Sequence, residues 1–183
     1  ITVTQNEAGS GALSVNGMSA SGNITLNFGT GTGSANITVS GARTDSTFSL
    51  TGDQNGDVTL NNISASAAIT VNVAGTGSLA ASALVTDGAV SITKSLGSGD
   101  SMDLQVVSAV TSLGITLGAA SGNVSASVVS VGSFTFDASS STETTSDHYI
   151  GVLSAQGTTN ITLGAANGFN ASAITINSAG GTI

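Results

Sequence analysis

The chain has 183 residues, 7% of them charged and 3% aromatic, with 25 Gly and neither Pro nor Cys. Its net charge of −8 leaves Arg43 and Lys94 as the only basic side chains, which excludes nucleic acid and anionic membrane surfaces as partners, since both need clustered cations. Without Cys there is no disulfide framework or thiolate metal site, and no apolar run reaches the roughly 18 residues of a membrane-spanning helix.

The Gly/Ser-rich texture invites a disordered reading, but mean hydropathy is +0.36 and the apolar residues are β-branched or Leu at alternating positions. The chain opens on Ile1-Thr2-Val3-Thr4, a strand pattern, and closes on another at Gly181-Thr182-Ile183. We expect both ends to be continued by neighbouring coils or another subunit, and residues 1–183 to be one repetitive β domain within a longer chain. The next strand pattern begins near Leu13, followed by Ile24-Thr25-Leu26. That tripeptide returns at Ile69-Thr70-Val71, Ile115-Thr116-Leu117 and Ile161-Thr162-Leu163, in steps of 45 (69 − 24), 46 (115 − 69) and 46 (161 − 115). A fixed period of this kind marks a repeat architecture.

The repeat is deeper than the tripeptide. Residues 12–27 align with 57–72 without a gap, and 115–122 align with 161–168 with a single difference, Ser121 against Asn167. Four strand columns follow: Leu13, Val58, Leu104 and Ile150; the Ile-Thr column; Ile37, Leu84, Val128 and Ile174; and Val3, Phe48, Ile92 and Phe136. Gly, Asn, Ser and Asp divide them. We therefore expect an all-β parallel solenoid of about 46-residue repeats, two coils to the repeat, with Gly and Asn at left-handed corners. A propeller blade has a similar length, but usually carries aromatic signatures, and this chain has no Trp. An antiparallel sandwich is the other alternative, with Asn16-Gly17, Asn55-Gly56 and Asn167-Gly168 as its candidate hairpin turns.

Seven of the ten acids fall at one loop position of the repeat: Glu7, Asp53, Asp57, Asp100, Asp103, Glu143 and Asp147. In stacked coils they would form a column of like charges, with no Lys or Arg nearby in the sequence to neutralise them. A divalent cation would relieve that repulsion, and an oxygen-rich loop suits calcium. Asp53, Asn55, Asp57, Asp100 and Asp103 are the candidate ligands. Asp53-Gln54-Asn55-Gly56-Asp57 resembles the opening of an EF-hand loop, although Val58 stands where that loop has Gly and no Glu follows at its twelfth position. The plain alternative is that these acids sit in exposed turns and confer solubility. Asp45, Asp87 and Asp137 read as turn residues.

No catalytic constellation emerges. Ser146, Asp147 and His148 are consecutive, and adjacent strand residues face opposite ways, so they do not build a triad; His148 reads as a surface residue. One Arg, one Lys and few aromatics argue against a carbohydrate-active solenoid enzyme. Thr25, Thr70, Thr116 and Thr162 read as outward strand residues. An ice-binding ladder is the competing idea, yet Thr-x-Thr occurs inside a strand only at Thr2-Val3-Thr4. Six Asn-x-Ser/Thr sequons, at Asn23, Asn36, Asn62, Asn123, Asn160 and Asn170, fit chance in this composition.

The segments Asn23–Leu26 and Asn160–Leu163 (NITL), 172–177 (SAITIN) and 115–120 (ITLGAA), in a Cys-free acidic chain, resemble the repetitive regions of RTX-type bacterial S-layer proteins and of giant secreted β-solenoid adhesins. Gly97–Leu104 is the nearest segment to the RTX nonapeptide, whose full signature is absent. The resemblance implies a secreted, calcium-assisted structural protein that assembles with itself at the cell surface as a layer or filament. The alternative it carries is the stalk of an adhesin.

Overall fold

The alternation of apolar and small polar residues makes strands, and each strand lies parallel on the one formed a coil earlier. The computed structural model describes residues 1–5, 12–30, 36–53, 55–97, 99–118, 122–141, 147–164 and 168–176. Over these the chain is a β-solenoid, with every ladder parallel. The antiparallel and propeller alternatives are thereby set aside.

Each coil has three faces. The first is built from Thr2–Gln5, Ile24–Thr30, Thr47–Asp53, Ala68–Val73, Ala89–Lys94, the ends of the long strands Ser101–Leu117 and Asn123–Ala138, and Thr159–Leu163. The second starts with Leu13–Asn16, Ile37–Ser40 and Val58–Asn61. The third starts with the short segments Ser19–Ala20, Arg43–Thr44 and Ile63–Ala65. From Leu79–Thr86 onward the second and third faces run together as single strands, continuing in Ser101–Leu117, Asn123–Ala138, Asp147–Ala155 and Gly168–Ile176. Two coils thus hold six face segments, where the sequence pattern suggested four. The third face is too short and too rich in Ser, Ala and Thr to alternate visibly. Ile37 belongs to the second face and Leu84 to the third, so the column that joined them mixes two faces.

Pairing offsets give the coil lengths. Along one inward row of the first face, Val3 pairs with Leu26 (26 − 3 = 23), Leu26 with Leu50 (24), Leu50 with Val71 (21) and Val71 with Ile92 (21). The row continues through Ile115 (23), Phe136 (21) and Ile161 (25). Two coils from Ile69 therefore span 21 + 23 = 44 residues, two short of the 46 separating Ile69 from Ile115. Ile24 and Ile69 share one row with Phe48, whereas Ile115 and Ile161 stand in the next inward row. An even slip keeps each side chain on the same side of the sheet, so the tripeptide survives it.

The core is a column of buried Ile, Leu, Val, Phe and Ala from all three faces. Bulk is balanced between coils: Gly52 lies on Phe28, and a Cβ added to Gly52 would sit 3.2 Å from that of Phe28. Outside, the first face presents two ranks of small polar side chains. One runs Thr2, Thr25, Ser49, Thr70, Ser91, Gly114, Thr135, Asn160, and the other Thr4, Asn27, Thr51, Asn72, Thr93, Thr116, Asp137, Thr162. The Thr column of the sequence is thus split between two ranks.

Left-handed corners occur where the second face turns into the third. Gly17 (φ 68°), Gly41 (φ 66°) and Asn62 (φ 55°) occupy that corner in three successive coils. Asn16-Gly17 therefore turns a corner and makes no hairpin. Later coils place Ala83, Val106, Val128 and Val152 there. A β-branched residue is poorly tolerated in the left-handed region, and these positions have no positive φ. The strand instead runs through the turn.

Candidate functional site

The polar corner between the first and second faces carries most of the acids. Its backbone is organised by a row of short oxygen-bearing side chains directly before the second-face strands. Asn36 Oδ1 accepts from Asp57 N (3.1 Å), Asp57 Oδ1 from Ser78 N (2.9 Å), Ser78 Oγ from Ser101 N (3.1 Å) and Asn123 Oδ1 from Asp147 N (3.0 Å). Each of these side chains thus satisfies an amide one coil further on, where the chain enters a strand and the sheet ladder has not yet begun.

The candidate ligands take different places in this corner. Asp53 ends its first-face strand, exposed, and Asn55 is exposed with Oδ1 accepting from Thr76 N and Thr76 Oγ1, both at 3.0 Å. Asp57 belongs to the row above. Asp100 Oδ2 accepts from Gly77 N (2.8 Å) and Gly97 N (2.6 Å), clamping the loop to the coil before it. Asp103 is not the counterpart of Asp57, despite the spacing of 46. It lies on the outer side of the second face beside Ala80 and Ser125, while Asp57 aligns with Ser78 and Ser101. The two-residue slip is the cause. Glu7, Glu143, Gln54 and Asn167 lie outside the described residues. Among the described residues no three of Asp, Glu and His come together as a metal-holding group.

The corner holds a cation of its own. Lys94 points inward from the first face, in the row of Phe28, Gly52, Val73 and Leu117, and is 0% exposed. Its Nζ donates to the carbonyls of Gly75 (2.5 Å) and Ser95 (2.8 Å). Burial brings its pKa down to about 8, and the charges of Asp100 and Asp57 act in the opposite direction. The expectation that no basic residue serves these acids is therefore corrected. The alternation Val90, Ile92, Lys94 carried the signal, since it sets Lys94 on the inner side.

His148 also departs from its reading as a surface residue. It takes a core position on the second face, stacked on Val124, and is 1% exposed, with Asp147 on the outside. Among the described residues neither ring nitrogen has a hydrogen-bond partner, and burial lowers its pKa. An inward His beside an outward Asp cannot relay a proton between them, and Ser146 lies outside the described residues.

A second feature is a groove of about 580 Å³ along the second-to-third corner of the first coils. Gly17, Gly41, Asn62 and Ala83 line it together with Arg43 and Val85 of the third face. No protein-family model, curated protein or solved structure matches the chain.

Proposed function

We propose that this chain is a structural segment of an extracellular layer or filament that assembles from copies of itself on a bacterial surface, with no catalytic role. The observation that carries this reading is the parallel ladder on three faces, which makes a rod whose strength lies along its axis. The S-layer and solenoid-adhesin texture supplies the setting. Calcium enters the proposal at the exposed acids Asp53, Asp57 and Asp103, with Asn55 and Asp100 completing the candidate set; Lys94 neutralises the inner part of the same corner.

The test is sedimentation and electron microscopy of the purified chain with calcium and then with a chelator. Assembly predicts filaments or sheets in calcium that dissolve when it is removed. A chain that remains monomeric throughout supports the adhesin stalk instead.

One observation favours a second reading, adsorption to ice. The two outer ranks of the first face form a regular two-rank array rich in Thr, Ser and Asn, about 4.8 Å apart along the axis and about 6.7 Å across. A thermal-hysteresis measurement distinguishes it: a gap between melting and freezing points supports ice binding, and none removes it.

A further inference from the structure

The corner between the second and third faces changes character halfway along the rod. Its residues stack in one line: Gly17, Gly41, Asn62, Ala83, Val106, Val128, Val152. The first three are left-handed, two of them glycines and the third the exposed Asn62, and the groove lies along them. The last three are β-branched and exposed by 40, 42 and 42%. One edge therefore carries a groove and then an apolar ridge, three coils each, with Ala83 between them.

Coils repeat about 4.8 Å apart, so groove and ridge have the same pitch and each extends about 14 Å from Ala83. A two-fold axis through the Ala83 coil, perpendicular to the rod, superposes one on the other. Val106 then faces Asn62 of a second copy, Val128 faces Gly41, and Val152 faces Gly17. Val128 and Val152 each meet a glycine, Val106 packs beside Asn62, and both halves of the edge are filled at once. Closed self-complementary contacts of this kind are the commonest way identical chains pair. Three valines exposed side by side along one edge are the sort of patch that marks an interface.

We propose that this edge is a pairing surface for a second copy of the chain, lying antiparallel, with the valine ridge of each copy seated in the glycine-lined groove of the other. The proposal rests on the self-assembly reading and names one of its contacts. Each copy carries a net charge of −8, so pairing strengthens as salt screens the repulsion.

The chain has no Cys, so a single introduced cysteine is a clean probe. In high-salt buffer Ala83→Cys brings two thiols together at the axis. It forms a disulfide dimer at least about tenfold faster than Thr70→Cys on the outer first face, because pairing raises the local thiol concentration. Val128→Asp in the Ala83→Cys background abolishes that advantage while leaving the far-ultraviolet spectrum unchanged. Equal rates for Ala83→Cys and Thr70→Cys overturn the proposal, as does a dimer that Val128→Asp leaves intact. If filaments form although Ala83→Cys does not cross-link, self-assembly stands and this contact falls. If Ala83→Cys dimerises but nothing larger forms, the contact stands and the layer or filament reading falls.

Discussion

The imidazole of His148 lies 4.9 Å from the ring of Phe136, with the two planes 55° apart. Both residues are core positions, and the two ring nitrogens of His148 are buried with no hydrogen-bond partner among the described residues. The folded protein therefore holds this imidazole neutral, with its pKa below the usual value of 6.5. The unfolded chain binds the proton more readily, so stability falls as pH drops below about 6.5. His148→Met, which matches Met102 two coils earlier, should remove that dependence between pH 6.5 and 5. It should also raise stability at pH 7.5 by about 1–3 kcal/mol, since an unsatisfied buried polar group disappears. Urea unfolding of both proteins at pH 7.5 and 5.5 measures both effects.

Lys94 acts with the same sign in an alkaline window. Its folded pKa of about 8 lies below the ordinary 10.5, so between those values the unfolded chain binds more protons. Stability should rise as pH increases from about 8 to 10.5, by roughly 3 kcal/mol. Lys94→Met should abolish the rise. At neutral pH it removes the burial cost of the ammonium, but it leaves the carbonyls of Gly75 and Ser95 without their donor and Asp100 and Asp57 without their cation. Guanidinium unfolding at pH 7.5, 9 and 10 compares the two proteins.

The cross-coil row at the polar corner predicts which acids matter for stability. Asp57→Ala removes the acceptor for Ser78 N and should cost about 1 kcal/mol. Asp57→Ser should recover most of it, because Ser78 makes the equivalent bond to Ser101. Asp103→Ala, at an exposed outer position, should stay within about 0.5 kcal/mol of the parent. Thermal melts of the three variants decide it, and a costly Asp103→Ala with a silent Asp57→Ala would reverse the assignment.

Two glycines should respond with opposite signs. A Cβ on Gly122 would meet the carbonyl of Asp100 at an impossible distance, whereas one on Gly114 meets nothing within 4 Å. Gly122→Ala should lose about 2 kcal/mol or more, because the strand pairing of that corner must shift. Gly114→Thr extends the outer Thr/Ser rank and should gain about 0.5–1 kcal/mol, since Gly is costly inside a strand. Parallel chemical-denaturation curves check both.

Much of this architecture is legible in alternation alone. Inward parity identifies Ile24, Leu26, Phe48, Leu50, Ile69 and Val71, and carried through Val90 and Ile92 it also reaches Lys94. Counted back from Ile150, the same parity puts His148 inside. Period arithmetic reveals the paired coils, but it hides the two-residue slip before Ile115, because an even slip leaves the pattern of exposure unchanged. That slip made Asp57 and Asp103 look equivalent. The third face escapes detection because Ser19–Ala20 and Arg43–Thr44 are too short to alternate. The valine ridge escapes because Val106, Val128 and Val152 become neighbours only through pairing across coils.

All of these relationships depend on each coil lying directly on the last. Thr25 and Thr135 share one outer rank, with Ser49, Thr70, Ser91 and Gly114 stacked between them. Five coil spacings separate them, about 24 Å. Nitroxide labels at Thr25→Cys and Thr135→Cys, measured by pulsed dipolar spectroscopy, should give one narrow distribution centred near that value, widened by the label arms. A broad distribution, or a centre tens of ångströms away, would contradict the stacked register.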